Sequence, residues 1–198
     1  MRGSSELIST IILVAAVLGM SAALWIYAQS STSNLRNQQQ IQSMISESST
    51  QLNLLKISAD PSQEYFIYQV TYKSNSTIYA LILGVKGSSF LYSTQDTIRI
   101  PYLGNPYINI SDSAQWVLPP LVRVPSSSIM IQPIYSSDSS YYSLDLWLGN
   151  SNIGLFKIDF QSAPFTLINV SPSSQYQEVL VFLIQIENKY WAFAYYYL

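Results

Sequence analysis

The chain opens on an apolar run. From residue 7 to residue 28 there is no charge, and only Ser9, Thr10 and Ser21 interrupt the hydrophobic sequence. At 1.5 Å per residue a helix of about 20 apolar residues crosses the roughly 30 Å hydrocarbon layer of a bilayer, so this run is long enough to span one. No Pro or Gly follows between Ser21 and Lys56. Ile41, Ile45, Ser48, Leu52 and Leu55 recur there at spacings of four, three, four and three, the narrow stripe of a helix packing on other helices. Leu35, Gln38 and Gln42 lie near that stripe. The pattern predicts one helix over 5–56, about 75 Å long, apolar all round in its first half and amphipathic in its second.

From Ile57 the period changes. Asp60-Pro61 breaks the helix, and short β-branched and aromatic runs alternate with Ser, Asn, Gly and Pro clusters. Strands are expected at 65–73, 78–85, 97–100, 116–124, 129–135, 141–148, 153–160, 165–170, 178–186 and 190–197. So many short strands with no helix between them predict a sandwich or barrel. Ser74-Asn75-Ser76-Thr77, Ser136-Ser137-Asp138-Ser139-Ser140, Gly149-Asn150-Ser151-Asn152 and Glu187-Asn188-Lys189 read as hairpin turns. Pro119-Pro120 marks its strand as an edge or a bulge. The expected class is therefore α+β: a long N-terminal hydrophobic helix, 4–56, followed by an all-β, Ig-like sandwich, 57–198.

Two runs, 78–83 and 179–184, are apolar at every position, where a solvated sandwich face would alternate. Either both are central strands covered on two sides, or an outer face is buried by neighbouring subunits. The Tyr-rich end at 190–197 suits the second reading, because interfaces enrich aromatics and deplete charge.

Composition narrows the function. Of 198 residues 48% are hydrophobic and 10% charged, with a net charge of -2, against a usual charged share of about 25%. This excludes the dense basic patch of a nucleic-acid binder and the weakly apolar composition of a disordered chain. The chain has no His and no Cys, which removes Ser-His-Asp and Cys-His nucleophiles, iron–sulfur sites, most zinc sites and any disulfide framework. Acids are scattered singly, no Gly-rich phosphate loop occurs, and neither enzymatic activity, a cofactor nor a metal is expected. Few paired carboxylates and no His also predict tolerance of acid.

A secretory signal is the simplest account of the apolar run, with Ser21-Ala22-Ala23 as its small-residue cleavage site. Against it, the run continues through Leu24, Trp25, Ile26 and Tyr27, and Glu6 sits where a signal wants positive charge. Trp25 and Tyr27 read instead as interfacial anchors of a retained helix. Ala15, Gly19 and Ala23 fall on one face at successive spacings of four, the pattern that lets apolar helices approach closely.

Arg2-Gly3-Ser4-Ser5-Glu6-Leu7, followed at once by this helix, resembles the class III signal of archaeal type IV pilins and archaellins. The resemblance covers about the first quarter of the chain. It implies that a prepilin peptidase cuts after Gly3, with Arg2 and Gly3 recognised and Ser4 the first mature residue, so that 1–3 is a short leader. The helix would then move from the cytoplasmic membrane into the core of an extracellular filament, a helical homopolymer used for adhesion or motility and built by the pilus assembly machinery. Assembly would involve Glu6, Ala15, Gly19, Ala23, Ile41, Ile45, Leu52 and Leu55. Glu6 departs from the bacterial pattern, where the acid stands fifth after the cut rather than third. If the leader stays, the chain resembles the pilin-like stator proteins of the archaellum, membrane-anchored β domains that bind the surface layer. Three N-glycosylation sequons, at Asn75, Asn109 and Asn169, lie in or beside expected loops.

Overall fold

The computed structural model describes residues 3–60, 65–74, 77–87, 89–92, 98–101, 116–134, 139–160, 165–171 and 176–198, side chains at 3–9, 58–60, 65 and 92 excepted. The chain divides into two compact units, Met1–Met44 and Ile45–Leu198.

The first unit is helical. Helix α1, Gly3–Gln51, supplies it and runs on into the second unit for its last two turns. Forty-nine residues without Pro, and with a single Gly after the first position, sustain a rod of about 74 Å.

The second unit is β-rich. It begins with β1, Leu52–Asp60, which starts at the residue after the helix. There follow β2 (Tyr65–Tyr72), β3 (Thr77–Lys86), β4 (Ser89–Tyr92), β5 (Ile98–Pro101), β6 (Trp116–Val117), β7 (Leu121–Pro125) and β8 (Ile129–Ile131). β9 (Tyr142–Ser143), a single helical turn α2 (Asp145–Leu148), β10 (Asn152–Asp159), β11 (Phe165–Val170), β12 (Gln177–Ile186) and β13 (Lys189–Tyr197) complete the order. Among the described residues these strands form two sheets. One has the order β1-β2-β11-β5-β6; the other runs β7-β10-β3-β12-β13-β8-β9. β4 shares one edge of β3 with β10: β10 pairs with Thr77 to Ala80 and β4 with Leu83 to Lys86.

The two all-apolar runs are the centre of the larger sheet. Every residue from Ile78 to Val85 is buried, and every residue from Glu178 to Ile184. Side chains alternate across a strand. Tyr79, Leu81 and Leu83 of β3 therefore join Val179, Val181 and Leu183 of β12 and Ile153 and Leu155 of β10 on one face. Phe90, Ile134 and Leu144 cover that face, with Trp147 packed edge-on against Phe90 at 5.0 Å between centroids. On the opposite face Ile78, Ala80, Ile82, Leu180 and Phe182 are buried too. The sheets are linked by Tyr72 of β2, whose ring lies 6.2 Å from Phe193 of β13 and 5.7 Å from Phe160. Phe193 is the extra residue of a β-bulge, since Phe182 pairs with Ala194 and Leu183 with Ala192. The apolar runs are thus central strands covered on both sides by their own chain.

Several sequence expectations are corrected. The helix ends at Gln51 rather than Lys56, because Leu52 onward is bonded to β2 from Leu52↔Tyr72 to Asp60↔Tyr65. Residues 52–56, expected at the end of the helix, are the start of β1. The expected strand 116–124 is two strands, β6 and β7, split at Pro119-Pro120, with each at an edge of a different sheet. Pro has no N–H for a ladder, so the dipeptide carries the chain between sheets. The expected strand 141–148 is β9 followed by α2, which ends at Gly149 with φ 66 and ψ -173, a conformation open essentially to Gly alone. Ser74 to Thr77 joins strands of different sheets, and Gly149 to Asn152 joins α2 to β10, so neither is a hairpin turn. Glu187-Asn188 is one: Ile186 pairs with Lys189 across it.

Candidate assembly helix

The first unit presents one feature with functional content, the uncovered apolar surface of α1. Ile11, Ile12, Leu13, Val14, Val17, Leu18, Met20, Leu24, Trp25, Ile26 and Tyr27 are all exposed, Leu18 at 65% and Trp25 at 73%. These residues occupy successive positions around the axis, so no side of this stretch is polar. Each large apolar side chain left in water forgoes roughly 1.5–3 kcal/mol of burial energy. Water is therefore a poor environment for it, and the helix is long and apolar enough to cross a membrane by length and composition.

Two described hydroxyls of α1, one in the run and one just beyond it, are satisfied locally. Ser21 Oγ donates to the Val17 carbonyl at 2.8 Å and Thr32 Oγ1 to the Ala28 carbonyl at 2.8 Å. Such back-bonds let hydroxyls enter an apolar medium without an unmet donor. Ala15, Gly19 and Ala23 are exposed, and a Cβ built at Gly19 meets nothing within 4 Å.

The predicted assembly stripe is only partly helical. Ile41 is half-buried, and Ile45 and Ser48 are buried in the last turns of α1. Leu52 and Leu55 instead belong to β1, where Leu52 is buried and Leu55 is 57% exposed. Their helical spacing was overridden by the ladder to β2.

Arg2 lies outside the described residues; Gly3, Ser4 and Glu6 are in the first turns of α1 by backbone. Asn75 and Asn109 also lie outside the described residues. Asn169 lies in the expected strand 165–170: it is half-buried in β11, flanked in the sheet by Ile67 of β2 and Arg99 of β5. A sequon held in a central strand is a poor acceptor once folded.

In the second unit several described side-chain hydrogen bonds tie separate segments together. Ser126, fully buried, donates its Oγ to the Gly149 carbonyl at 2.7 Å and accepts from the Ser151 N–H at 3.1 Å. Tyr141 Oη donates to the Ala192 carbonyl at 2.8 Å, and Tyr195 Oη accepts from the Gln132 N–H at 2.9 Å. Burial pushes the Tyr141 phenol up to about 12 and raises that of Tyr195 further. Among the described residues no three of His, Cys, Asp and Glu come together to hold a metal. Sequence reasoning missed Leu146 of α2, an apolar side chain 67% exposed. Asp145 followed four residues later by Gly149 is the start-and-stop signature that could have revealed that turn.

No family model, curated protein or solved structure matches this chain.

Proposed function

We propose that this chain is the structural subunit of an archaeal type IV pilus-like extracellular filament, serving surface adhesion or motility. One observation supports the reading above the others: an apolar helix, exposed on all sides, joined to a separately folded two-sheet unit. Such a helix is stable in lipid before assembly and among copies of itself afterwards, since both surroundings remove its side chains from water. The two-sheet unit, covered on both faces of its main sheet, forms the sheath. Arg2-Gly3-Ser4 ahead of the apolar run supplies the processing site, and the partners are the cytoplasmic membrane, a prepilin peptidase, the assembly machinery and other copies of the chain.

The test is the N-terminal mass of protein sheared from the cell surface. A start at Ser4, in material that pellets as fibres, supports the filament. Intact Met1 in the membrane fraction overturns it in favour of a membrane-anchored β domain of the archaellum-stator kind. A start near Leu24 makes the helix a secretory signal.

A further inference from the structure

Only three of the 49 residues of α1 are charged: Glu6, Arg36 and Glu47. No acid stands within four positions of Arg36 along the chain, so the helix offers it no pair of its own. The ion pair found among the described residues joins Lys157 and Asp159, on β10. Arg36 and Glu47 are eleven positions apart. At 3.6 residues per turn that is three turns and about 20°, so they share a face of α1 about 16 Å apart along the axis. Arg36 also closes one end of a shallow groove on this face; Trp25 closes the other, and Ala28, Thr32 and Ser33 lie between. Glu47 is exposed, and its Oε1 accepts from Gln51 Nε2 at 3.1 Å. The face thus holds one cation and one anion at a set spacing on a surface of amides, hydroxyls and aliphatic groups.

We propose that this face is where a second copy of the chain docks, with parallel copies offset along the helix axis by about 16 Å, so that Arg36 of one copy lies level with Glu47 of another. The parallel orientation rests on the filament reading. Copies packed round a common axis turn the face inward, and both groups then meet across that axis. Packing removes water from the Gln- and Ser-rich surroundings, where an unpaired guanidinium is costly and a paired one is tolerated. Other offsets set Arg36 against apolar or amide side chains. The pair therefore fixes register, the role best attested for a lone charge in a helix interface.

The full-length chain, assembled from detergent and sedimented, tests this with Arg36→Glu, Glu47→Arg and the exchange carrying both. Each single reversal is expected to lower the pelleted fraction about tenfold or more, and the exchange to restore it, because like charges facing each other oppose association. Far-UV circular dichroism checks that the two-sheet unit stays folded in each variant. Singles that assemble like the unmutated chain, or an exchange as defective as the singles, overturn the proposal. An unmutated chain that never pellets overturns the filament reading itself, a distinct result. The chain has no cysteine, so a second readout is clean: an oxidised equimolar mixture of R36C and E47C chains should give mixed dimers well beyond the twofold excess over either homodimer that random pairing yields, and a ratio at or below that twofold excess contradicts the offset.

Discussion

At the residue scale, two positions in the two-sheet unit carry more than their size suggests. Ser126 stitches the loop after α2 to the end of β7 through two hydrogen bonds of its hydroxyl, in a place closed to water. Ser126→Ala removes both and leaves the Gly149 carbonyl and the Ser151 N–H without that partner, so it should lower stability by about 1–3 kcal/mol in urea unfolding. Ser128→Ala, which removes an exposed bond to the Pro125 carbonyl, should stay within about 0.5 kcal/mol. Glu187 is the opposite case. It takes φ 56 in the two-residue β12–β13 turn, a left-handed conformation that costs a non-glycine residue energy. Glu187→Gly is expected to raise stability by about 1 kcal/mol in the same assay. The turn itself was legible in Glu187-Asn188-Lys189, but which residue would be strained was not, because that depends on the twist of the strands it joins.

At the scale of elements, the junction of α1 and β1 is the place where local pattern and final structure part. Leu52 and Leu55 continue the helical stripe of Ile41, Ile45 and Ser48, and nothing in residues 52–56 is a helix breaker. The residues nevertheless form an edge strand, with Lys56 Nζ 3.9 Å from the centre of the Phe66 ring across the β1–β2 ladder. A strand puts Leu52 and Leu55 on opposite faces; a helix would put them on one. Leu52→Ala should therefore cost about 2–4 kcal/mol and Leu55→Ser less than about 0.5 kcal/mol, measured by thermal unfolding. Equal costs would restore the helical reading. β3 and β12 were readable from their apolar runs alone, whereas β4 and α2 were not: a four-residue strand and a single turn depend on what they pack against, here β3 for one and Phe90 for the other.

At the scale of the whole molecule, the pH dependence of stability follows from which titrating groups are buried. The Tyr141 and Tyr195 phenols are raised by burial. Each stays protonated in the folded chain while the unfolded chain ionises near pH 10, so stability is full below pH 10 and falls as pH climbs toward 12. On the acid side the Lys157–Asp159 pair is exposed and 4.0 Å apart, which contributes little. Melting temperatures at pH 7 and pH 3 should therefore nearly coincide.

The sequence by itself determined the division of labour in this chain. An uncharged run of 22 residues, the absence of His and Cys, and β-branched runs between Pro, Asn and Ser clusters define an apolar helix followed by a two-sheet domain, because helix period, strand period and chain breakers act over a few neighbouring residues. Only the tertiary structure decided where the helix stops, that the two apolar strands are covered on both sides by their own chain, and that the strand carrying Asn169 is enclosed between two others. Those outcomes depend on partners far along the chain: β2 captures Leu52, β10 and β12 flank β3, and β2 and β5 enclose β11. Pairing between distant strands is settled by backbone hydrogen bonds and shared burial, which no local pattern encodes.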